Sequence, residues 1–337
     1  THTEGSTENG DTGDTATGHY HRYRDDVSLM SEIGLNSYRF SIAWSRLIPQ
    51  GTGAVNQEGI DFYRSLCTEL TASGITPHAT LYHWDLPQAL QDQGGWANPE
   101  SVQWFMEYAR VAKEALGDLV HDWATFNEPH CTAFIGHSAG KHAPGITDPA
   151  TAYLVAHHLM LAHHGAIAVM RETDPHPRDS LGIVLNLIPA WPNDPSDESK
   201  EAAAGVDAIH NRLFAAAVLD GRYPPLVLRY MEEFGIAGDV DAEELAQAKQ
   251  SIDFLGVNYY NINHIAHEPG APLLPLWPGP KEAVLAPPPG PLTGRCWGVE
   301  PGGRQWMLVR VRDWAPGRPG GSMGKGAAWR VVGAGGG

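Results

Sequence analysis

The 337-residue chain carries 23 basic and 39 acidic side chains, a net charge of -16, and 42% hydrophobic residues. That balance supports a packed core and argues against a nucleic-acid surface, which needs clustered basic charge. No run of about 18 apolar residues occurs, so no membrane-spanning helix is expected. The start, Thr1-His2-Thr3-Glu4, lacks the basic and apolar parts of a signal peptide. Cys67, Cys131 and Cys296 are too few and scattered for a disulfide framework. They read as free thiols of a reducing, cytoplasmic compartment.

Residues 1–18 hold almost nothing apolar and read as an irregular segment. Beyond them, strand-like and helix-like segments alternate. Ser37 to Trp44 reads as a strand. Gln57 to Ser73 puts Ile60, Tyr63, Leu66 and Leu70 on one helical face, and Gly74 ends it. Ile75 to Tyr82 is a second strand, running into His83-Trp84-Asp85. Pro99 to Leu116 is a helix closed by Gly117, and His121 to Phe126 a third strand. Thr151 to Arg171 is a long helix, and Leu181 to Leu187 a near-continuous apolar strand. Helices are expected between Glu198 and Leu219 and around Ala242 to Gln250; Ile252 to Asn258 is the last clear strand. Pro269 to Pro291 reads as a long loop. Met307 to Arg312 is a short strand candidate. Residues 304–337, rich in Gly, Arg and Trp, are expected to form a tail without native packing, since their composition cannot offset chain entropy.

Apolar strands separated by helices predict an α/β fold with a parallel sheet and right-handed crossovers. In its barrel form, functional residues collect at the C-terminal strand ends. Here those ends carry Arg39 and Trp44, His83 and Trp84, Asn127 and Glu128, Asn186, and Asn258 with Tyr260. Packing does not ask for polar and aromatic residues at every strand end. The reading is an α/β fold of the (β/α) barrel kind, with a sugar-sized site at the strand ends. An open sheet exposes edges, so low solubility or self-association through them is expected.

Other conspicuous residues have ordinary explanations. His157, His158, His163 and His164 share a helix but lack the i, i+4 spacing of a zinc pair, so they read as packing and polar-face side chains. His137 and His142 flank a glycine-containing loop and could line a pocket mouth, with a surface role the favoured reading. Trp104, Trp123 and Trp191 read as core rather than sugar platforms. No phosphate-binding or dinucleotide motif occurs. No metal or cofactor is expected.

Several motifs follow one another along the chain: His19-Tyr20-His21-Arg22-Tyr23, Tyr38-Arg39-Phe40-Ser41, Leu81-Tyr82-His83-Trp84-Asp85-Leu86-Pro87, Thr125-Phe126-Asn127-Glu128-Pro129, and Asp253 to Tyr260. In that order they resemble glycoside hydrolase family 1, the β-glucosidase family, from about residue 11 to 303. The resemblance implies a (β/α)8 TIM barrel, incomplete here with strands 2 to 6 recognisable over residues 19–303, and a retaining hydrolase of terminal β-D-glucosides or small oligosaccharides, acting without a cofactor. It implies Glu128 as general acid/base, Asn127 as partner of the sugar 2-hydroxyl, and His83 and Trp84 as lining of the sugar pocket. Arg39 and Tyr260, with Asn258 beside them, match groups that orient the nucleophilic carboxylate.

Retention of configuration needs two carboxyl groups across one sugar bond, and the second is missing. The family places it in an Ile-Thr-Glu-Asn-Gly motif on the seventh strand, and nothing after Tyr260 resembles that motif. Thr7-Glu8-Asn9-Gly10 spells its last four residues at the wrong end of the chain, with no apolar strand before it. Cys296 to Gly303 resembles a family segment with glycines in place of two carboxylates, and a reading-frame change near this point would account for the unfamiliar text beyond. The alternative reading is a non-catalytic sugar-binding remnant of the same barrel. A metal-dependent sugar isomerase would need more carboxylate and His ligands at the strand ends than His83 and Glu128.

Overall fold

The computed structural model describes residues 5, 7–294, 297–314, 320–324 and 327–331. Its centre is a curled parallel sheet. Strands β1 (Ser37–Ser41), β2 (Thr76–Tyr82), β3 (Asp122–Asn127) and β4 (Ser180–Asn186) lie side by side in chain order. After β5 (Ala190–Pro192), which belongs elsewhere, β6 (Phe254–Tyr259) pairs in parallel with β4 from Gly182↔Phe254 to Asn186↔Asn258. Every residue of β4 is buried, as expected of a strand covered on both faces. At Gly182 a Cβ would stand 2.3 Å from the Phe254 carbonyl oxygen, so only glycine permits this approach.

Helices cover the outside, and their sequences say why. In Gln57–Ala72 the buried Ile60, Tyr63, Leu66, Cys67 and Leu70 recur every three or four residues, and Gly74 leaves the helix with φ 73°. Pro149–Glu172 starts on Asp148, whose carboxylate accepts from Thr151 N at 3.0 Å. This helix is buried nearly all round, and all four of its histidines are inside. None lies on a polar face. Each has its own partner: His157 with Tyr223 Oη, His158 with the Trp96 carbonyl, His163 with Thr125 Oγ1, His164 with the Ala217 carbonyl.

Several elements escape the sequence reading. His19–Glu32 is a helix that buries only Tyr23 and Val27, a stripe too thin to read as amphipathic. Pro225–Glu233 is a short helix entered through Pro224 and Pro225. Within the supposed loop 269–291, β8 (Ala283–Ala286) pairs antiparallel with β7 (Asn263–His267), which in turn pairs with β5 in a separate three-stranded sheet. Met307 to Arg312 is not a strand. It lies in the helix Pro301–Trp314, which buries Met307 and Val311 four residues apart. At Gly303 in the same helix, a Cβ would stand 2.3 Å from Tyr259 Oη, so the glycine there is required by packing.

Nor did the sequence reading anticipate the strand that pairs with β6 on its far side. The backbone of β9 (Gly320–Gly324) runs parallel to β6, from Leu255↔Gly320 to Tyr259↔Gly324, and β10 (Ala327–Val331) returns antiparallel to it. Gly-Gly-Ser-Met-Gly carries no β propensity. Strand pairing here uses main-chain groups, which a side-chain pattern does not report.

Candidate active site

The sheet brings the C-terminal ends of β1, β2, β3 and β6 together around one side chain, Asn127, the last residue of β3. Arg39 Nη2 donates to its Oδ1 at 3.3 Å, and Asn258 Nδ2 donates to the same oxygen at 3.1 Å. The Asn127 amide nitrogen faces His83 Nε2 at 3.1 Å, and Trp84 Nε1 donates to the Asn127 carbonyl oxygen at 2.9 Å. The chemistry of the donors fixes the rest. Arg39 and Asn258 supply hydrogens, so Asn127 turns its oxygen to them and donates from Nδ2 to His83. His83 then accepts at Nε2 and holds its proton on Nδ1. Burial, and then the Arg39 charge, push its pKa down to about 4, in keeping with a neutral ring.

Glu128 follows directly. Its backbone is left-handed, φ 52°, and its N–H donates to the Val184 carbonyl at 2.8 Å. Trp84 has φ 78°. Two non-glycine residues in this sparsely populated region, at adjoining strand ends, mark a place where the surrounding structure holds the backbone in a costly conformation. The Glu128 side chain is buried. Asn258 Nδ2 donates to Oε1, and the Cys131 thiol donates to Oε2 at 3.3 Å. Cys131 itself lies 3.8 Å from Asn186 Nδ2.

Two more residues share this field. The Tyr260 hydroxyl has its pKa raised by burial first and then by the Glu128 charge. Arg39 is half-buried, and burial lowers its pKa against the opposing pull of Glu128 and Tyr260. Among the described residues Arg39 has no ion-pair partner. All seven residues singled out from the sequence, Arg39, His83, Trp84, Asn127, Glu128, Asn258 and Tyr260, are therefore linked by hydrogen bonds or by electrostatic coupling.

Sequence reasoning missed two neighbours, Cys131 and Trp297, and gave a third, His142, the wrong preference. Cys131 comes three residues after Glu128, one turn into the following helical segment, and that spacing was the available signal. His142 rests against Trp84, ring centroids 5.2 Å apart, which agrees with the pocket-mouth alternative rather than the favoured surface role. Trp297 sits 5.4 Å from the Tyr260 ring. Two expectations are corrected. Trp44, at the end of the first sequence-read strand, is fully buried and stacks on Tyr108 at 4.7 Å, so it is core. His137 is 1% exposed and bonds the Thr132 carbonyl, so it is not a surface residue. Trp123 is core, as read. Glu8 lies in the turn Glu8–Gly10 and not in a strand.

Among the described residues, His121, His176 and Asp179 are near enough together to hold a metal ion. They stand at the opposite, N-terminal ends of the strands. Arg178 Nη2 lies 2.8 Å from His121 Nε2, and Lys113 Nζ donates to Asp179 Oδ2 at 2.7 Å. Two cations already hold the donor atoms, which disfavours a third. No described helix is long and apolar enough to cross a membrane.

Comparison with known proteins agrees with this geometry. The sequence profile of glycosyl hydrolase family 1 matches residues 1–312. β-Glucosidase A of Thermotoga maritima is 40% identical over 313 residues, covering 93% of this chain and 68% of that protein. β-Glucosidase A of Acetivibrio thermocellus is 43% identical over 270 residues, 80% of this chain and 60% of the relative. The psychrophilic β-glucosidase of Micrococcus antarcticus superimposes with a TM-score of 0.88 at 41% identity, over 95% of this chain and 71% of that one. A T. maritima family 1 β-glucosidase superimposes with a TM-score of 0.86. The curled sheet is thus an incomplete (β/α)8 barrel, and the chain belongs to glycosyl hydrolase family 1.

Proposed function

We propose that the site binds the terminal glucosyl unit of a β-D-glucoside or small oligosaccharide and is the acid/base half of a retaining β-glucosidase. Glu128 protonates the leaving oxygen and later withdraws a proton from water. Asn127 and His83 present polar atoms to the sugar, Trp84 an aromatic wall, and Arg39, Asn258 and Tyr260 a polar rim that would orient a nucleophile. One observation carries the reading: Glu128 is gripped on both carboxylate oxygens beside the Asn127 hub, at the C-terminal ends of parallel strands. Its relatives are β-glucosidases, and one similar T. maritima structure is a complex with glucoimidazole.

The test uses cellobiose, whose poor leaving group needs a proton donor. Glu128→Gln is expected to lower kcat/KM by about 10²-fold or more while glucoimidazole still binds. Unchanged turnover in that variant would sink the assignment.

A second reading, sugar binding without turnover, is favoured by a specific feature. At the ends of β1–β4 and β6 the carboxylates are Glu128 and Asp85, and Asp85 turns back to accept the His83 N–H at 3.4 Å. Binding of glucoimidazole with no release of 4-nitrophenol from its β-glucoside would select it. The buried thiols Cys67 and Cys131 support a reducing, cytoplasmic setting. Exposed Leu29, Ile33 and Leu35, leading into edge strand β1, support self-association there.

A further inference from the structure

At the end of the sheet opposite Glu128, the strand starts border a cavity of about 910 Å³, the size of a small-molecule site. Its wall comes from the beginnings of β2, β3 and β4 and from Ile252 just before β6. Asp122 and Ser180 line it and are partners in the β3–β4 register, so their side chains stand on one face of the sheet. His78 continues that row on β2, with Nδ1 3.8 Å from Asp122 Oδ2. Ser180 is 4% exposed, and its Oγ has no hydrogen-bond partner among the described residues. A hydroxyl taken out of water without a partner is unfavourable, and a polar group inside the cavity would relieve that.

The lining decides what kind of polar group fits. Each of its carboxylates has a partner: Asp118 has both Arg64 nitrogens at 2.7 Å, Asp179 has Lys113 at 2.7 Å, Asp253 has Arg171 at 3.2 Å, and Asp122 has the His78 ring. Arg178 in the same wall brings the fixed cations level with the carboxylates. Neither a cation nor an anion is therefore drawn in by net charge. Carboxylate oxygens accept, the guanidinium donates and the Ser180 hydroxyl does either, and a ligand hydroxyl can answer all three. Between these groups, Ile75, Pro77 and Ile252 are buried apolar surface that suits C–H faces. We propose that this cavity binds a neutral polyhydroxylated molecule of mono- or disaccharide size, with a ligand hydroxyl hydrogen-bonded to Ser180 Oγ. The site lies apart from the Glu128 network and does not rest on the glucoside reading.

The experiment titrates trehalose, which has no β-glucosidic bond, into the folded chain by isothermal calorimetry, with and without glucoimidazole. The expected result is saturable binding that glucoimidazole leaves unchanged and that weakens about tenfold or more in Ser180→Ala. That variant removes no hydrogen bond of the fold, so its urea midpoint should not fall, which separates loss of the site from loss of the fold. Thr76→Trp, at the exposed start of β2 in the cavity wall, should block the mouth and abolish binding. Absence of saturable heat overturns the inference and leaves the cavity to water. Trehalose that binds equally tightly in either variant, or that glucoimidazole displaces, overturns it as well. So does Ser180-dependent binding of spermidine or inorganic phosphate in place of trehalose, because the occupant would then be charged.

Discussion

The two ends of β3 are both polar and both largely buried, yet they are built on opposite rules. At the start, charges are paired. Lys113, fully buried, donates to Asp179 at 2.7 Å; Asp179 also accepts the His176 N–H at 2.9 Å, and His121 stands 3.3 Å from its other oxygen. Burial would raise the Asp179 pKa, but the Lys113 and His176 hydrogen bonds outweigh it and hold it down. At the far end, Arg39 and Glu128 face amides, hydroxyls and a thiol. At the start the charges form direct ion pairs; at the far end Arg39 and Glu128 act on each other only through the field, and their hydrogen bonds go to neutral groups. Barrels divide their strand ends in this way, stability below and chemistry above.

The largest expected effect strikes both ends at once. Between them β3 leans through Thr125 Oγ1 on His163, one of several buried histidines whose pKa burial pulls down. His157 and His210 are pushed to about 4, chiefly by burial. With a folded value near 4 and an unfolded value near 6.5, the unfolded chain binds more protons between those limits. Stability is therefore full above about pH 6.5 and falls as pH drops toward 4, by about 3 kcal/mol for each of these two rings. Urea midpoints at pH 7 and pH 4.5 check this; equal midpoints would contradict it. Next in size is Lys113→Ala. It strands Asp179 and is expected to cost about 3–5 kcal/mol, read by urea unfolding at pH 7. Glucoimidazole affinity of the folded fraction should stay unchanged, because the pair lies at the other end of the strand. If the affinity falls as well, the division of labour between the ends is wrong.

Asn258→Ala tests the upper end by itself. The change removes the donor to Glu128 Oε1 and to Asn127 Oδ1, one of them a charged acceptor, so a loss of about 1.5–3 kcal/mol is expected. It should appear as a tenfold to hundredfold weaker glucoimidazole affinity, with a smaller change in unfolding midpoint. A larger effect on unfolding than on binding would move Asn258 from the site to the scaffold.

What the sequence disclosed follows the same line. Strand ends such as Tyr82-His83-Trp84 and Asn127-Glu128 were legible because packing has no use for such residues there, and helices such as Gln57–Ala72 because a 3.6-residue stripe writes itself in apolar side chains. The Asn127 hub was not legible. Its geometry depends on four strand ends converging, and 131 residues separate Asn127 from Asn258. Nor was β9, whose pairing with β6 uses main-chain hydrogen bonds while its own residues carry almost no side-chain signal. Local chemistry shows in a sequence; convergence and backbone pairing do not.

Arg39→Met separates the two ends most sharply, although its effect on stability is the smallest. A structural arginine with a bound counter-charge would cost several kcal/mol to lose, as Lys113 should. Arg39 has no such partner among the described residues, and Asn127 Oδ1 keeps its bond from Asn258 when the guanidinium is gone. Removing a half-buried cation also relieves its desolvation, and the methionine stem covers much of the same apolar surface. The unfolding free energy is therefore expected to shift by less than about 1 kcal/mol, in either direction. Urea unfolding at pH 7 measures it. A loss beyond about 2 kcal/mol would mean that Arg39 belongs to the scaffold and that the upper end of β3 is held by the same rule as the lower.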